Sequence, residues 1–578
     1  MPTGGKRVRA GPPERLAAVP RRVASHRPCA SRRRLGRNST RSRPIARGRA
    51  PAPGWRRGGN RLAAEQGLRC EVPFLKTLDL AGRARPTRRR TAPGAAVPAR
   101  AGFHTSLSPG PTRHPARRSP PVTGRLIVVS NRIPTDEVPS GGLVVAMHEA
   151  LSDQGGTWIG AHPDPASEPT DALERLPAQG YDKRAFRLTE EERQTFYLGY
   201  ANSVLWPLCH RRVDLIALET EYAEGYLAVN ARVARQVASL AGPDDLIWVQ
   251  DYHFFPLAAE LRRLGCRARI GLFLHIPFPV ASDLAALPER DAFPRWLSAY
   301  DLLGLQTQAD VARCLELFRS LPDAEMFLDG KVKHGARLFA VAAFPIGIDA
   351  EGMAAAAAVG GGREMVKLAP DEDLVIGVDR LDYSKGLPNR LRAFGQVLEH
   401  TELGARRPHL IQIAPPSRGD VPAYQRIRAE LDAIASEVNG CHADLGWTPI
   451  QYINRSYPRE TLARLFRAAR IGLVTPLADG MNLVAKEFVA AQDPADPGVL
   501  VLSRTAGAAE RLSEALLVNP FDIDDIARAI EAGLAMPLEE RTARHAALRA
   551  EVFERDVAAW RSDYLRALSA VTVAPALA

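Results

Sequence analysis

From Arg125 onward, short apolar runs alternate with stretches in which apolar residues recur every three or four positions. The runs LIVVS (126–130), LIWV (246–249), IGLFLH (270–275), LVIGV (374–378), HLIQI (409–413), IGLV (471–474) and VLVLS (499–503) read as strands of parallel sheet. A strand covered on both faces is apolar throughout rather than alternating. Between them, ETLARLFRAAR (460–470) puts Leu462, Leu465, Phe466 and Ala469 on one helical face, and ERDVAAWRSDYLRAL (554–568) has the same period. Strand and helix in alternation predict doubly wound α/β units. The series is too long for one open sheet. Two Rossmann-like domains are therefore expected, over 125–345 and 346–553, changing over near FPIGID (344–349), with a C-terminal helix and tail (554–578) able to pack back on the first. Ligands belong in the cleft between them.

Charge changes the picture only at the N-terminus. Residues 1–124 carry 29 Lys/Arg and 4 Asp/Glu, a net of +25, while the rest carries 48 and 61, a net of −13, so the overall +12 comes from this segment alone. Its repeats of Arg, Pro, Gly, Ala and Ser cannot bury enough apolar surface to offset chain entropy, and it is expected to be disordered. Three readings stay open: a basic arm, an organelle transit peptide, or sequence upstream of a true start near Val122. The last two are preferred, and a nucleic-acid partner is not expected. No uninterrupted apolar stretch is long enough for a membrane span. Cys29, Cys70, Cys209, Cys266, Cys314 and Cys441 lack the close spacing of a zinc or redox motif. Six free thiols in the cytoplasm are expected.

Candidate chemistry sits where strands end. Asn131 and Arg132 follow the first strand, with Gly141 and Gly142 close behind, so a cation and amides that can approach a phosphate share one loop. RLDYSKG (380–386) places Arg380 and Lys385 in another loop, two cations able to neutralise a diphosphate leaving group; the plain alternative is an Arg380–Asp382 ion pair. In DGMNLVAKE (479–487), Asp479 precedes a helix and Glu487 lies about two turns deeper on roughly the same face. Both suit sugar hydroxyls, or else an N-cap and a surface ion pair. His275 ends the strand IGLFLH. Asp251 and His253 follow LIWV, and as metal ligands they lack a third partner at readable spacing. Tyr197 and Trp206 offer faces for a hexose or for the core, and Arg418 a cation for phosphate or a plain loop charge.

Taken in order, RLIVVSNR, ANSVLWP, DYHFFPLAAEL, FLHIPFP, YDLLGLQT, FPIGID, RLDYSKGLPNR, IAPPSRGDVPAYQ, LGWTP and VTPLADGMNLVAKEFVAAQDP resemble the trehalose-6-phosphate synthase family of glycosyltransferases across roughly 125–570. The resemblance implies two Rossmann-like domains facing across a cleft (the GT-B arrangement), with UDP-glucose and glucose 6-phosphate as substrates. It implies an acceptor site of Arg132, Tyr197, Trp206, Asp251 and Arg418. The implied donor site comprises Gly141, Gly142, Arg380, Lys385, Asp479, Leu483, Val484 and Glu487, with Glu487 on the ribose. Arg380, Lys385, Asp251 and His275 make up the implied catalytic set. Transfer with retention, needing no protein nucleophile, metal or other cofactor, is implied as well.

Two departures stand out. TWIGAH has Ala161 where many relatives carry a second Trp, and Ala478 precedes Asp479 where relatives often carry Arg. No phosphatase signature follows, so a separate trehalose-6-phosphate phosphatase is expected in the pathway. A homo-oligomer stays open. Glucosylglycerol-phosphate synthesis and a silent sugar-phosphate sensor are the rival readings.

Overall fold

The computed structural model describes residues 124–135, 142–178, 180–400, 406–417 and 421–571. The basic N-terminal segment, Gly141 and Arg418 lie outside the described residues.

The first domain is built on β1 (Leu126–Ser130), β2 (Thr157–Ala161), β3 (Glu174–Leu176), β4 (Asp182–Phe186), β5 (Leu246–Gln250), β6 (Arg269–Phe273), β7 (Leu302–Leu305), β8 (Ala324–Met326), β9 (Lys331–His334) and β10 (Arg337–Ala343). They form one sheet in the order β3-β4-β2-β1-β5-β6-β7-β10-β9-β8. β4 through β10 in that order run parallel, and the edge strands β3 and β8, with β9 inside the latter, pair antiparallel. The parallel strands β1, β2 and β5 are buried along their whole length, which is why they read as unbroken apolar runs.

The second domain holds β11 (Glu372–Val378), β12 (Arg407–Ile413), β13 (Ile450–Ile453), β14 (Ile471–Val474), β15 (Val499–Ser503) and β16 (Leu516–Val518). All are parallel, in the order β13-β12-β11-β14-β15-β16. Counted from β11 this is 3-2-1-4-5-6, the dinucleotide-fold order, whose strand order reverses between β11 and β14. In the first sheet the reversal falls between β1 and β5. Loops leaving those four strands therefore carry the groups that face one another.

Two helices close the described residues, the second over the segment whose period predicts one. Leu538–Glu554 stops at Arg555, and a new helix, Val557–Ala570, starts where the Asp556 side chain accepts from the Ala559 amide. The break has a packing cause. Val557 N donates to Ile348 O at 3.1 Å, and Arg555 and Asp556 backbone lies against Gly347, in the segment joining β10 to the second domain. The last helix then lies on the first domain's sheet: Tyr564 stacks on Trp248 at 4.8 Å and meets Phe273 edge-on at 5.6 Å. It can do so because Gly271 on β6 and Gly304 on β7 present no Cβ there.

A further tie joins the two domains. Glu510, on the turn after β15, accepts from the Gln308 and Ala309 amides at 3.0 and 3.1 Å. These are unsatisfied donors at the start of the helix Gln308–Arg319. Glu510→Gln keeps one of the two acceptor oxygens and removes the charge that suits a helix N-terminus, so unfolding free energy should fall by about 1 kcal/mol in chemical denaturation.

Candidate active site

A cavity of about 720 Å³ lies between the facing strand ends. From the first domain, β1 is followed by Asn131 and Arg132, β5 by Asp251 and β6 by His275; Tyr197 and Trp206 come from the helical segment between β4 and β5. From the second, Arg380 and Lys385 follow β11 and Asp479 follows β14.

Tyr197 is set by an unusual helix. Arg193–Leu205 winds as a π-helix of 13 residues, a form ordinarily seen only as single-turn bulges, often at functional sites. Side chains reinforce the i→i+5 pitch: Asn202 Nδ2 donates to Tyr197 O at 2.7 Å and Ser203 Oγ to Leu198 O at 2.8 Å. Tyr197 then stacks on His253 at 5.9 Å and accepts from Arg132 Nη2 at 3.0 Å. Trp206, 4 % exposed, follows directly, and the Arg380 guanidinium stands over its ring at 5.5 Å. An aromatic face of the first domain and a cation of the second thus meet across the cleft.

Lys385 Nζ donates to Asp479 Oδ2 at 2.5 Å, although 94 residues separate them. Asn482 Nδ2 donates to the same oxygen at 3.0 Å, and Asn482, rather than Asp479, caps the helix Leu483–Ala491 by accepting from the Ala485 amide. Behind Lys385 lies a buried pair, Arg390 and Asp379, 2.9 Å apart and 0 % and 2 % exposed by side chain. Burial raises the Asp379 carboxyl, against the lowering pull of Arg390 and Lys385. Arg390 also donates to Thr475 Oγ1 and Gln412 Oε1, which fixes its side chain behind Lys385. Asp382 does not pair with Arg380. Its carboxylate accepts from Tyr424 Oη and the Ser384 amide, and among the described residues no carboxylate lies within salt-bridge distance of Arg380.

Two of the four non-glycine residues with positive φ among the described residues are at this cleft, Asp251 (71°) and Asn482 (71°). Such conformations cost about 1–3 kcal/mol each and cluster at functional sites. The Asp251 carboxylate accepts from the His275 amide at 3.2 Å. His275 lies two residues beyond β6 and not at its end, because sheet pairing stops at Phe273. Burial pushes its imidazole down to about 3, so it is neutral. Its Nε2 hydrogen-bonds Gln250 Oε1 at 2.9 Å, which requires Nε2 to carry the proton and leaves Nδ1 as the acceptor.

Leu483, Val484 and Glu487 sit on the helix after Asp479, outside the lining of this cavity. Burial raises the Glu487 carboxyl above its ordinary value. Gly142 opens the helix Gly142–Gln154. Gln250, Asp379, Arg390 and Asn482 were not singled out from the sequence, although Arg390 closes RLDYSKGLPNR and Asn482 lies within DGMNLVAKE. Cys209, Cys266, Cys314 and Cys441 are free, no group of three or more His, Cys, Asp or Glu fit to hold a metal is found among the described residues, and no helix among them is long and apolar enough to cross a membrane.

Two parallel-sheet domains with cations, carboxylates and aromatic faces meeting between their strand ends define a glycosyltransferase of the GT-B arrangement. Residues 123–570 match the model of glycosyltransferase family 20. The chain belongs to that family. A trehalose-6-phosphate synthase of Sodalis glossinidius (strain morsitans) is 43 % identical over 449 residues, covering 76 % of this chain and 95 % of that protein. An alpha,alpha-trehalose-phosphate synthase (UDP-forming) from Burkholderia vietnamiensis superposes with a TM-score of 0.76 at 44 % identity, over 79 % of this chain and all but 1 % of that one (99 %). A Burkholderia xenovorans synthase of the same description, in complex with glucose 6-phosphate, gives a TM-score of 0.73 at 43 % identity, over 77 % and 100 %.

Proposed function

We propose that the enzyme transfers glucose from UDP-glucose to glucose 6-phosphate, forming α,α-trehalose 6-phosphate and UDP with retention at the donor's anomeric carbon. The observation that carries this reading is the meeting of Arg380 and Lys385 with Arg132, Tyr197 and Trp206 around one cavity, in a chain whose relatives are trehalose-6-phosphate synthases.

The two cations face the donor diphosphate and stabilise the charge that develops as it leaves, supplying the electrostatics that a metal provides elsewhere. The bond between the anomeric carbon and the β-phosphate oxygen breaks, and its electron pair leaves with UDP. The acceptor's C1 hydroxyl oxygen bonds to that carbon on the same face, and its proton passes to the departing phosphate oxygen. Asp479, held by Lys385 and Asn482, accepts from donor hydroxyls. Asp251 and neutral His275 position the sugars, and Arg132 takes the acceptor phosphate, with Arg418 proposed beside it and Gly141 and Gly142 near the donor phosphates. No side-chain nucleophile is needed.

Glu487 is assigned to the ribose hydroxyls, for which its ionised form is the better acceptor. Because its pKa is raised, protonation begins at higher pH than for an ordinary glutamate, and the KM for UDP-glucose should rise as pH falls through that range. Glu487→Gln should show a higher KM that no longer responds to acid.

The free cysteines suit a reducing compartment, so the reaction is placed in the cytoplasm, with a separate phosphatase consuming the product. Measuring UDP release with glucose 6-phosphate or glycerol 3-phosphate tests the acceptor. Release with the former alone is expected. Release with glycerol 3-phosphate alone would move the assignment to glucosylglycerol-phosphate synthesis, and no release would favour a sensor.

A further inference from the structure

The first domain contains a second cavity, of about 730 Å³, whose lining shares no residue with the cleft. It opens between the segment 281–299, which continues the loop begun at His275, and the β7–β10 end of the sheet. Leu284, Leu317 and Leu321 give it an apolar floor, and four guanidiniums, those of Arg262, Arg290, Arg295 and Arg337, stand in its wall.

Its charge is unbalanced by construction. Asp301, 1 % exposed, accepts from Arg262 Nη2 through one oxygen and from Arg337 Nη2 through the other, at 2.5 and 3.0 Å. Two positive charges share one buried carboxylate, leaving one in excess. Arg262 spends its remaining donors on the Cys266, Ala268 and Ala299 carbonyls, whereas Arg337 Nη1 has no partner among the described residues. Burial and the neighbouring Arg262 charge both lower the Arg337 guanidinium, so the protein maintains a like-charge pair at some cost. Arg295 has neither a carboxylate nor a hydrogen-bond acceptor among the described residues. The two acids at the rim, Asp291 and Asp323, are 87 % and 62 % exposed and face Arg290 and His334 at 3.8 and 3.5 Å. The half-buried Arg337 with its free donor and the exposed, unpaired Arg295 suit phosphate oxygens, and the leucine floor suits the body of an organic ligand rather than a bare ion.

The cavity wall also connects to the acceptor side of the cleft. Glu289, which precedes Arg290, accepts from Tyr200 Oη at 2.6 Å, and Tyr200 lies on the π-helix three residues after Tyr197.

We propose that this cavity is an effector site for an organic phosphate monoester, whose occupancy alters acceptor binding through the Glu289–Tyr200 contact. The link to the acceptor rests on the function proposed above; binding itself does not.

Phenyl phosphate is a suitable probe, with phenol and inorganic phosphate as controls. Calorimetry on the full chain with UDP present and glucose 6-phosphate, itself a phosphate monoester, left out should show a phenyl phosphate site, with either control at least about tenfold weaker. Arg295→Ala should weaken that binding at least about tenfold and leave the basal kcat and KM unchanged, since Arg295 is exposed and anchors nothing. Phenyl phosphate should shift the KM for glucose 6-phosphate several-fold in the parent and not in Tyr200→Phe. Three results would overturn the proposal: no binding, binding indifferent to Arg295→Ala or matched by inorganic phosphate, or binding that leaves the KM unmoved. An enzyme inactive with glucose 6-phosphate would instead contradict the proposed function, and the calorimetry would still report on the cavity.

Discussion

Arg380→Ala is expected to lower kcat by about 100-fold or more, the scale of losing one preorganised charge partner of a developing anion. Its guanidinium is exposed and makes no ion pair among the described residues. It stands over Trp206 across the cleft, so the energy of its charge is free to be expressed on a substrate rather than on the fold. Unfolding free energy should therefore stay within about 0.5 kcal/mol of the parent. Arg380→Lys should recover only part of the rate, since an ammonium cannot fork onto two phosphate oxygens. Steady-state kinetics with the donor varied, alongside chemical denaturation, check both halves. Activity within tenfold of the parent would remove Arg380 from the role assigned to it.

Gly480→Ala should be comparably damaging for a different reason. A Cβ at this position would overlap the His275 carbonyl and the Ile276 Cα, both backbone of the opposite domain. No rotamer change relieves that clash, so the 479–482 loop or the domain contact must move. The loop carries Asp479 with its bonds from Lys385 and Asn482, and a displacement near 1 Å at such a site costs about 100-fold. We expect kcat/KM to fall by that order, together with a lower unfolding temperature. Gly440→Ala, where nothing lies within 4 Å of the added atom, is the matched control and should leave activity unchanged.

Much of the fold can be read from the sequence because its central strands are covered on both faces. LIVVS, LIWV, IGLV and VLVLS coincide with β1, β5, β14 and β15 to within one residue. The short strands β3, β8 and β9 at the margins of the first sheet were missed, since ERL, AEM and KVKH mix charge with few apolar residues, and β2, β4, β7, β10, β13 and β16 were not singled out either. The helical period of ERDVAAWRSDYLRAL (554–568) matches the helix Val557–Ala570 to within three residues, whereas the π-helix at 193–205 had no counterpart in the sequence reading.

For the candidate site, motif order located the strand-end loops that line the cleft, but not the bonds within them. The Lys385–Asp479 pair spans 94 residues and Asn482–Asp379 spans 103, separations at which spacing carries no information. Asn482 as the helix cap could not be told from Asp479 on residue preference alone, since both types favour that position. The positive φ that decides between them is a property of the folded loop.

The most direct test is the product itself. The enzyme would be incubated with UDP-glucose and glucose 6-phosphate, and the sugar phosphate formed examined by NMR for its anomeric couplings. The account predicts a 1,1-linked disaccharide monophosphate with both anomeric centres α. A β centre at the transferred glucose, or glucose attached to any other oxygen of the acceptor, would contradict it.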